Sequence, residues 1–251
     1  MKPQIKIAAD RPELCRIAAA RILDAAKKAV RRNGQYTIVL SGGSTPKDLY
    51  TLLAEDADWR EQFPWESTHF FWGDERHVPS DHAESNYRMT NEAMLSKVPV
   101  PPANIHRIKA ENPDAAVAAR EYERELRKVF KLSAGKFPSF DIALLGLGPE
   151  AHTASLFPGT KALHEKKRLV VSNWVGKFFT DRITMTAPVF NHAHSVIFLV
   201  AGDDKAIPLK AVLEGKHEPE QLPAQLIRPG KGSLLWLLDQ AAARYLGKPI
   251  S

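Results

Sequence analysis

Short apolar runs alternate along this chain with longer stretches of helical period. The runs lie at Tyr36–Leu40, Thr68–Trp72, Phe140–Leu145, Leu169–Ser172, Ile183–Thr186 and Val196–Val200. Apolar runs this short mark strands covered on both faces. Leu234–Leu238 reads as a last strand or as the start of a helix. Leu14, Ile17, Ala18, Ile22, Ala25 and Ala29 recur at helical spacing, so they predict one apolar helix face. Asp10 with Glu13 makes a capping-box start for that helix, and Gly34 stops it. Pro46 suits the first turn of the helix after the Ser41–Thr45 turn. Asn112-Pro113 predicts the opening of a long charged helix that ends near Gly135. Asp203 is expected to cap a helix that Gly215 ends, and an Ala-rich helix closes the chain.

Strands alternating with helices predict an α/β fold with a doubly wound, mostly parallel sheet. The chain shows no internal repeat and no low-complexity segment. Its Pro-rich pieces, Val98–Pro102 and Glu218–Pro223, read as surface loops and not linkers. A single domain over 1–251 is therefore expected.

Composition narrows the function classes. At 251 residues and 44% hydrophobic content, the chain can bury a sizeable core. No apolar run approaches a membrane span, and the N-terminal stretch has neither an h-region nor a cleavage site. The single cysteine, Cys15, excludes an internal disulfide and a Cys-rich metal site. These features lead to the expectation of a soluble, cytoplasmic protein that does not engage membranes. A net charge of +6 suits nucleic acid or a small anionic substrate. No stacking signature or zinc-finger spacing supports nucleic acid, so Lys27, Lys28, Arg31, Arg32 and Lys166–Arg168 read as solvated faces. A monomer or weak homodimer is expected.

The candidate chemistry sits in four polar clusters, each following an apolar strand. They are Gly42–Thr45, Gly73–Arg76, Gly146–His152 and Gly202–Lys205. In a parallel sheet all four lie on the carboxyl edge, where open α/β sheets bind ligands. Gly42, Gly43, Ser44 and Thr45 look like a phosphate cradle at a helix N-terminus. The spacing is not that of a Walker A loop. Gly146–Ala151 fits the loose G-x-G-x-x-A pattern, but Pro158-Gly159 leaves little room for a helix. The following strand also leads into Asn173 and not an acid, so a dinucleotide cofactor is not expected.

His152 is the candidate general base, with Asp74, Glu75 or Glu150 as its orienting carboxylate. The chain has no G-x-S-x-G elbow and no H-E-x-x-H, and His192 and His194 are wrongly spaced for one helix face. No metal and no other cofactor is expected. Arg182 is a candidate phosphate clamp, against the alternative of a surface ion pair with Asp181. Arg76 and Lys205 are further candidates through their neighbourhood.

Several of these stretches resemble the 6-phosphogluconolactonase family, within the glucosamine-6-phosphate isomerase/lactonase superfamily. They are LSGGSTPKDLY (40–50), FWGDERHVPSDHAESNYRM (71–89), FDIALLGLGPEAHTASLFPG (140–159), RITMTAPVFNHA (182–193) and FLVAGDDKA (198–206). PAQLIRPGKGSLLWLLDQAAA (223–243) completes the pattern. The resemblance spans nearly the whole chain in order and implies a Rossmann-like, NagB-type domain. It also implies hydrolysis of 6-phospho-D-glucono-1,5-lactone in the pentose phosphate pathway. In that reading His152 is the base, oriented by Asp74 or Glu150. The phosphate falls to Gly42, Gly43, Ser44, Thr45 and Arg182, helped by Arg76 or Lys205. A sugar-phosphate isomerase or deaminase, or a non-catalytic sugar-phosphate sensor, are the competing readings. One departure from the family pattern is plain: Glu150-Ala151 stands where Asp-Gly is usual, which lengthens the carboxylate and puts alanine in place of a glycine.

Overall fold

The computed structural model describes residues 3–247. Its frame is a seven-stranded, wholly parallel sheet. The strands are β1 (Gln4–Ala8), β2 (Tyr36–Leu40), β3 (Thr68–Trp72), β5 (Ile105–His106), β6 (Ile142–Leu145), β9 (Ser195–Val200) and β10 (Ser233–Asp239). Their order is β1-β10-β9-β6-β2-β3-β5. From β2 the chain therefore runs outward one way through β3 and β5, and from β6 the other way through β9 and β10, with the N-terminal strand β1 on the edge beside β10. The direction reverses between β2 and β6, which pair through Ile38↔Ile142 and Val39↔Ala143.

The helices are α1 (Arg11–Asn33), α2 (Ser44–Glu55), α3 (Ala57–Arg60), α4 (Asn86–Ala93), α5 (Ala115–Val129), α6 (Ala187–Asn191), α7 (Ala206–Glu214) and α8 (Gln240–Ala243). In α1 the expected face is the buried one: Leu14, Ala18, Ile22 and Ala29 are covered, while Ile17 and Ala25 pack at the margin. The Asp10 carboxylate accepts from the Glu13 N–H, and Gly34 closes the helix with φ 76°. Across the sheet, Phe198 and Trp236 stack with centroids 3.8 Å apart.

Several expectations need correction. Leu169–Ser172 and Ile183–Thr186 do not join the parallel sheet. They belong to β7 (Val170–Val175) and β8 (Thr180–Met185), an antiparallel hairpin that pairs with β4 (Asp74–Arg76) in a second sheet. Only residues 176–179 connect β7 to β8, too few for the crossover that parallel neighbours require. Asp74-Glu75-Arg76 is accordingly a short strand and not a loop. The charged helix begins later than Asn112-Pro113, because the Asp114 carboxylate accepts from the Ala116 and Val117 N–H groups. It also ends earlier, at Val129. Asp203 caps nothing: it opens a 3₁₀ turn whose cap residue is Gly202, and it pairs with Arg244. Leu234–Leu238 resolves as strand. The edge strand β1 went unpredicted because its side chains are mostly exposed, so no apolar run marks it.

Candidate functional site

The reversal between β2 and β6 makes the loops that leave these two strands neighbours. A side chain at Gly146 would reach within 3.8 Å of the Ser41 hydroxyl. Below Ser41, Gly43 (φ 108°) forms the N-cap of α2 with no side-chain cap, so the first N–H groups of the helix remain open to an anion. Gly42 packs on the Asn86 amide so closely that any side chain there would displace it. Asn86 in turn donates from Nδ2 to the Asp74 carbonyl at 3.0 Å. The cradle residues Gly42, Gly43, Ser44 and Thr45 are thus tied to the Asp74–Arg76 strand.

Glu75 explains how that strand is held. Its buried carboxylate accepts from Ser85 Oγ (3.0 Å) and from the backbone N–H groups of Arg76 (2.8 Å), Asn86 (2.7 Å) and Tyr87 (2.8 Å). Burial raises its pKa, and the backbone donors pull it back. With both oxygens occupied, Glu75 is a structural fastener, and it drops out as orienter of the histidine.

His152 lies beyond β6 on a turn closed by Gly148 N–H to His152 C=O (2.8 Å) and Ala151 N–H to Gly148 C=O (3.0 Å). Gly148 faces the imidazole with no room for a side chain. No helix follows; the segment folds back through a Thr153↔Leu156 bridge. The imidazole stacks on Phe157 with centroids 4.0 Å apart. Its Nδ1 lies 3.1 Å from Glu150 Oε2. The other Glu150 oxygen, Oε1, accepts from Lys177 on the β7–β8 connection. Of the three candidate orienters, Glu150 is the one in contact with the ring. The Asp74 carboxylate accepts instead from Ser155 Oγ at 2.6 Å, and Asn173 Nδ2 donates to the Ser155 carbonyl at 2.9 Å. Asp74 acts on His152 through its field.

Charge converges on the imidazole. Burial is the largest influence and holds its pKa down at about 4. Asp74 pulls it upward, while Lys205, Arg182 and Arg76 push it downward. Arg76 and Arg182 sit opposite each other in the β4–β8 register. Arg182 is 8% exposed, and its Nε has no hydrogen-bond partner. Among the described residues it makes no ion pair, so the Asp181 alternative is not the arrangement found. Its pKa is lowered by burial first and by Arg76 second. The fields of Asp74, Glu84 and Glu75 offset only part of the cost of burying this guanidinium beside a second one, and an incoming anion would offset more. Arg76 donates to the Glu84 carbonyl at 3.0 Å, and Lys205 pairs with Asp204 at 2.7 Å.

Asn86, Ser155, Phe157 and Lys177 were missed in the sequence. Ser155 and Phe157 lie within the His152 run, but Ser155 meets Asp74, far away in sequence, and the stacking of Phe157 on His152 depends on how the turn folds back. Lys177 gives no local signal at all.

Fold and site together define an α/β protein with a glycine-containing helix N-terminus and a half-buried histidine at the switch point of a parallel sheet. The family model for glucosamine-6-phosphate isomerases/6-phosphogluconolactonase matches residues 9–236. The chain belongs to that family. It is 45% identical over 247 residues to a 6-phosphogluconolactonase of Synechocystis sp., covering 98% of this chain and 99% of the relative. A 6-phosphogluconolactonase of Nostoc sp. is 42% identical over 247 residues, with the same coverage of 98% and 99%. The solved 6-phosphogluconolactonase of Trypanosoma cruzi superposes with a TM-score of 0.86 at 32% identity, covering 98% of this chain and 97% of its own.

Two outcomes are expected. Ala151 holds φ 57°, a left-handed conformation that costs an L-residue roughly 1–2 kcal/mol. Ala151→Gly should therefore be neutral or stabilising by up to about 1 kcal/mol in urea denaturation, because the added chain entropy of glycine offsets part of the relief. A clear loss of stability would show that the turn is unstrained. Second, the His152 ring protons followed by NMR should titrate near pH 4. The unfolded chain takes up this proton first, so the contribution of His152 to stability is lost as pH falls from about 6.5 towards about 4. A midpoint near 6.5 would contradict the burial of the ring.

Proposed function

We propose that this chain hydrolyses 6-phospho-D-glucono-1,5-lactone to 6-phospho-D-gluconate, a reading supported by its full-length similarity to 6-phosphogluconolactonases. The observation that carries the reading is an imidazole whose Nδ1 lies 3.1 Å from Glu150, within the field of a buried arginine that makes no ion pair among the described residues. The Nδ1–H donates to Glu150, so the lone pair of Nε2 is free to accept a proton.

The substrate phosphate binds the open N–H groups of Gly43, Ser44 and Thr45 and the Arg182 guanidinium, with Gly42 allowing close approach. Arg76 and Lys205 add positive field. This anchors the sugar with C1 near His152. A water attacks C1, and Nε2 takes its proton as the new C–O bond forms. The tetrahedral oxyanion is stabilised by the surrounding cations and backbone N–H groups. On collapse, the C1–ring oxygen bond breaks and the imidazolium returns the proton to the leaving oxygen. Asp74 stabilises the transient imidazolium through its charge, as the upward pull on His152 implies. A lactone is already electrophilic, so positioning and a base suffice without a covalent intermediate. All groups come from one chain, in keeping with a monomer or weak homodimer working in the cytoplasm. An isomerase or deaminase of the same superfamily would bind the same phosphate but remove a carbon-bound proton.

His152→Ala should lower kcat by ~10²–10⁴-fold. The assay is acid release from freshly prepared lactone above the spontaneous rate. Unchanged kcat removes His152 from the mechanism, and ammonia release from glucosamine 6-phosphate would favour the deaminase. Arg182→Ala should act mainly on KM, by about 10- to 100-fold, the worth of one or two charge-assisted bonds. Unphosphorylated gluconolactone should be insensitive to it. Equal losses on both lactones would argue against phosphate binding by Arg182.

A further inference from the structure

We propose that Lys177 is a positioning residue for the His152 base, acting through Glu150. This deepens the function proposed above and rests on it. Lys177 lies in the turn Gly176–Phe178 that joins β7 to β8. The next residue, Phe179, is 83% exposed and left-handed at φ 48°, so the tip projects into solvent. The turn nevertheless meets the site twice. Lys177 Nζ donates to Glu150 Oε1. Phe178 packs edge-on to Phe157, centroids 5.8 Å apart, and Phe157 carries the imidazole on its other neighbour contact at 4.0 Å. The Arg182 guanidinium also lies 5.3 Å from the centroid of Phe178. The hairpin that supplies the phosphate clamp thus also reaches the partner of the base.

The need for a second anchor follows from chemistry. Glu150 sits on an irregular turn and has three rotatable bonds between backbone and carboxylate. A single contact to Nδ1 would leave it free to swing away, and the imidazole free to carry its proton on either nitrogen. Only the Nδ1–H tautomer leaves Nε2 basic. Lys177 fixes the second carboxylate oxygen, so both oxygens are engaged, one by the ring and one by the ammonium. The logic is that of any outer partner that sets the tautomer of a working histidine.

The test uses Lys177→Met, Lys177→Arg, Glu150→Gln and the Met/Gln double variant of the full chain. The Lys177 side chain is 58% exposed, so these variants should fold. In ligand-free wild type, ¹⁵N shifts of His152 should report a protonated Nδ1 and a bare Nε2 at neutral pH. Lys177→Met should mix the tautomers, and Lys177→Arg should restore the single one. With lactone, Lys177→Met should lower kcat by about tenfold while KM stays within about twofold. Adding it to Glu150→Gln should cost nothing further, because the path runs through that carboxylate. An unchanged tautomer, a raised KM at constant kcat, or multiplicative losses in the double variant would each overturn the proposal. Absence of lactone hydrolysis in wild type would overturn the proposed function instead, and the tautomer measurement would still decide the role of Lys177.

Discussion

Everything in this molecule that can do chemistry depends on one topological constraint. A parallel sheet that grows in two directions from its centre must part its loops where the direction reverses. Here that point lies between β2 and β6, which share only two register pairs. Asp141, just before β6, clamps them at the opposite end: its carboxylate accepts from the Thr37 N–H at 3.0 Å and from the Thr37 hydroxyl at 2.8 Å. The strands are therefore tied at one end and open at the other. The cradle at Gly42–Thr45 and the turn bearing His152 stand on the two lips of that opening. The second sheet then closes it from above, bringing Asp74, Arg76 and Arg182 to the same place through the β4–β8 ladder.

The electrostatics follow from that crowding. Partial burial is the main reason a protonated His152 ring is costly, and the fields of Lys205, Arg182 and Arg76 add to it. Arg182 makes no ion pair among the described residues, and the fields of Asp74, Glu84 and Glu75 only partly offset its burial beside Arg76. Asp74 relieves part of this and cannot itself rotate freely, because Ser155 holds it. The Asp74 carboxylate, the His152 imidazole and the Arg76 and Arg182 guanidinium groups are one coupled arrangement, and shifting any member alters the field felt by the others.

The inner strands of the main sheet were legible because they are covered on both faces and so carry continuous apolar runs, whereas the edge strands β1, mostly exposed, and β5, two residues long, carry none. Gly42–Thr45 and His152 stood out in the sequence because each belongs to a local motif that follows an apolar strand, and the structure brings their two loops together. Two kinds of feature escaped. The β7–β8 hairpin was misread as parallel because its apolar content matches that of core strands; only the short connection distinguishes it. The roles of the three acids could not be sorted, since Glu75 and Asp74 differ in their partners and not in their chemistry. Ser85, Asn86 and Tyr87 claim Glu75, Ser155 claims Asp74, and all of these lie far from His152 along the chain or beyond its local turn.

The Glu75 carboxylate has one more consequence. It binds the N–H of Arg76 on one side and Ser85, Asn86 and Tyr87 on the other, and the Arg76 guanidinium adds a bond to the Glu84 carbonyl, so the excursion 77–84 is pinched at its base. The pinch fixes both ends of the excursion to the strand below it. Loop-closure entropy grows only slowly with length, by about 0.6 kcal/mol per doubling. The segment is therefore an exchangeable cassette at the rim of the cleft. Its length and sequence are free to drift, or to be rebuilt for a larger sugar, while the groups at its root keep their places.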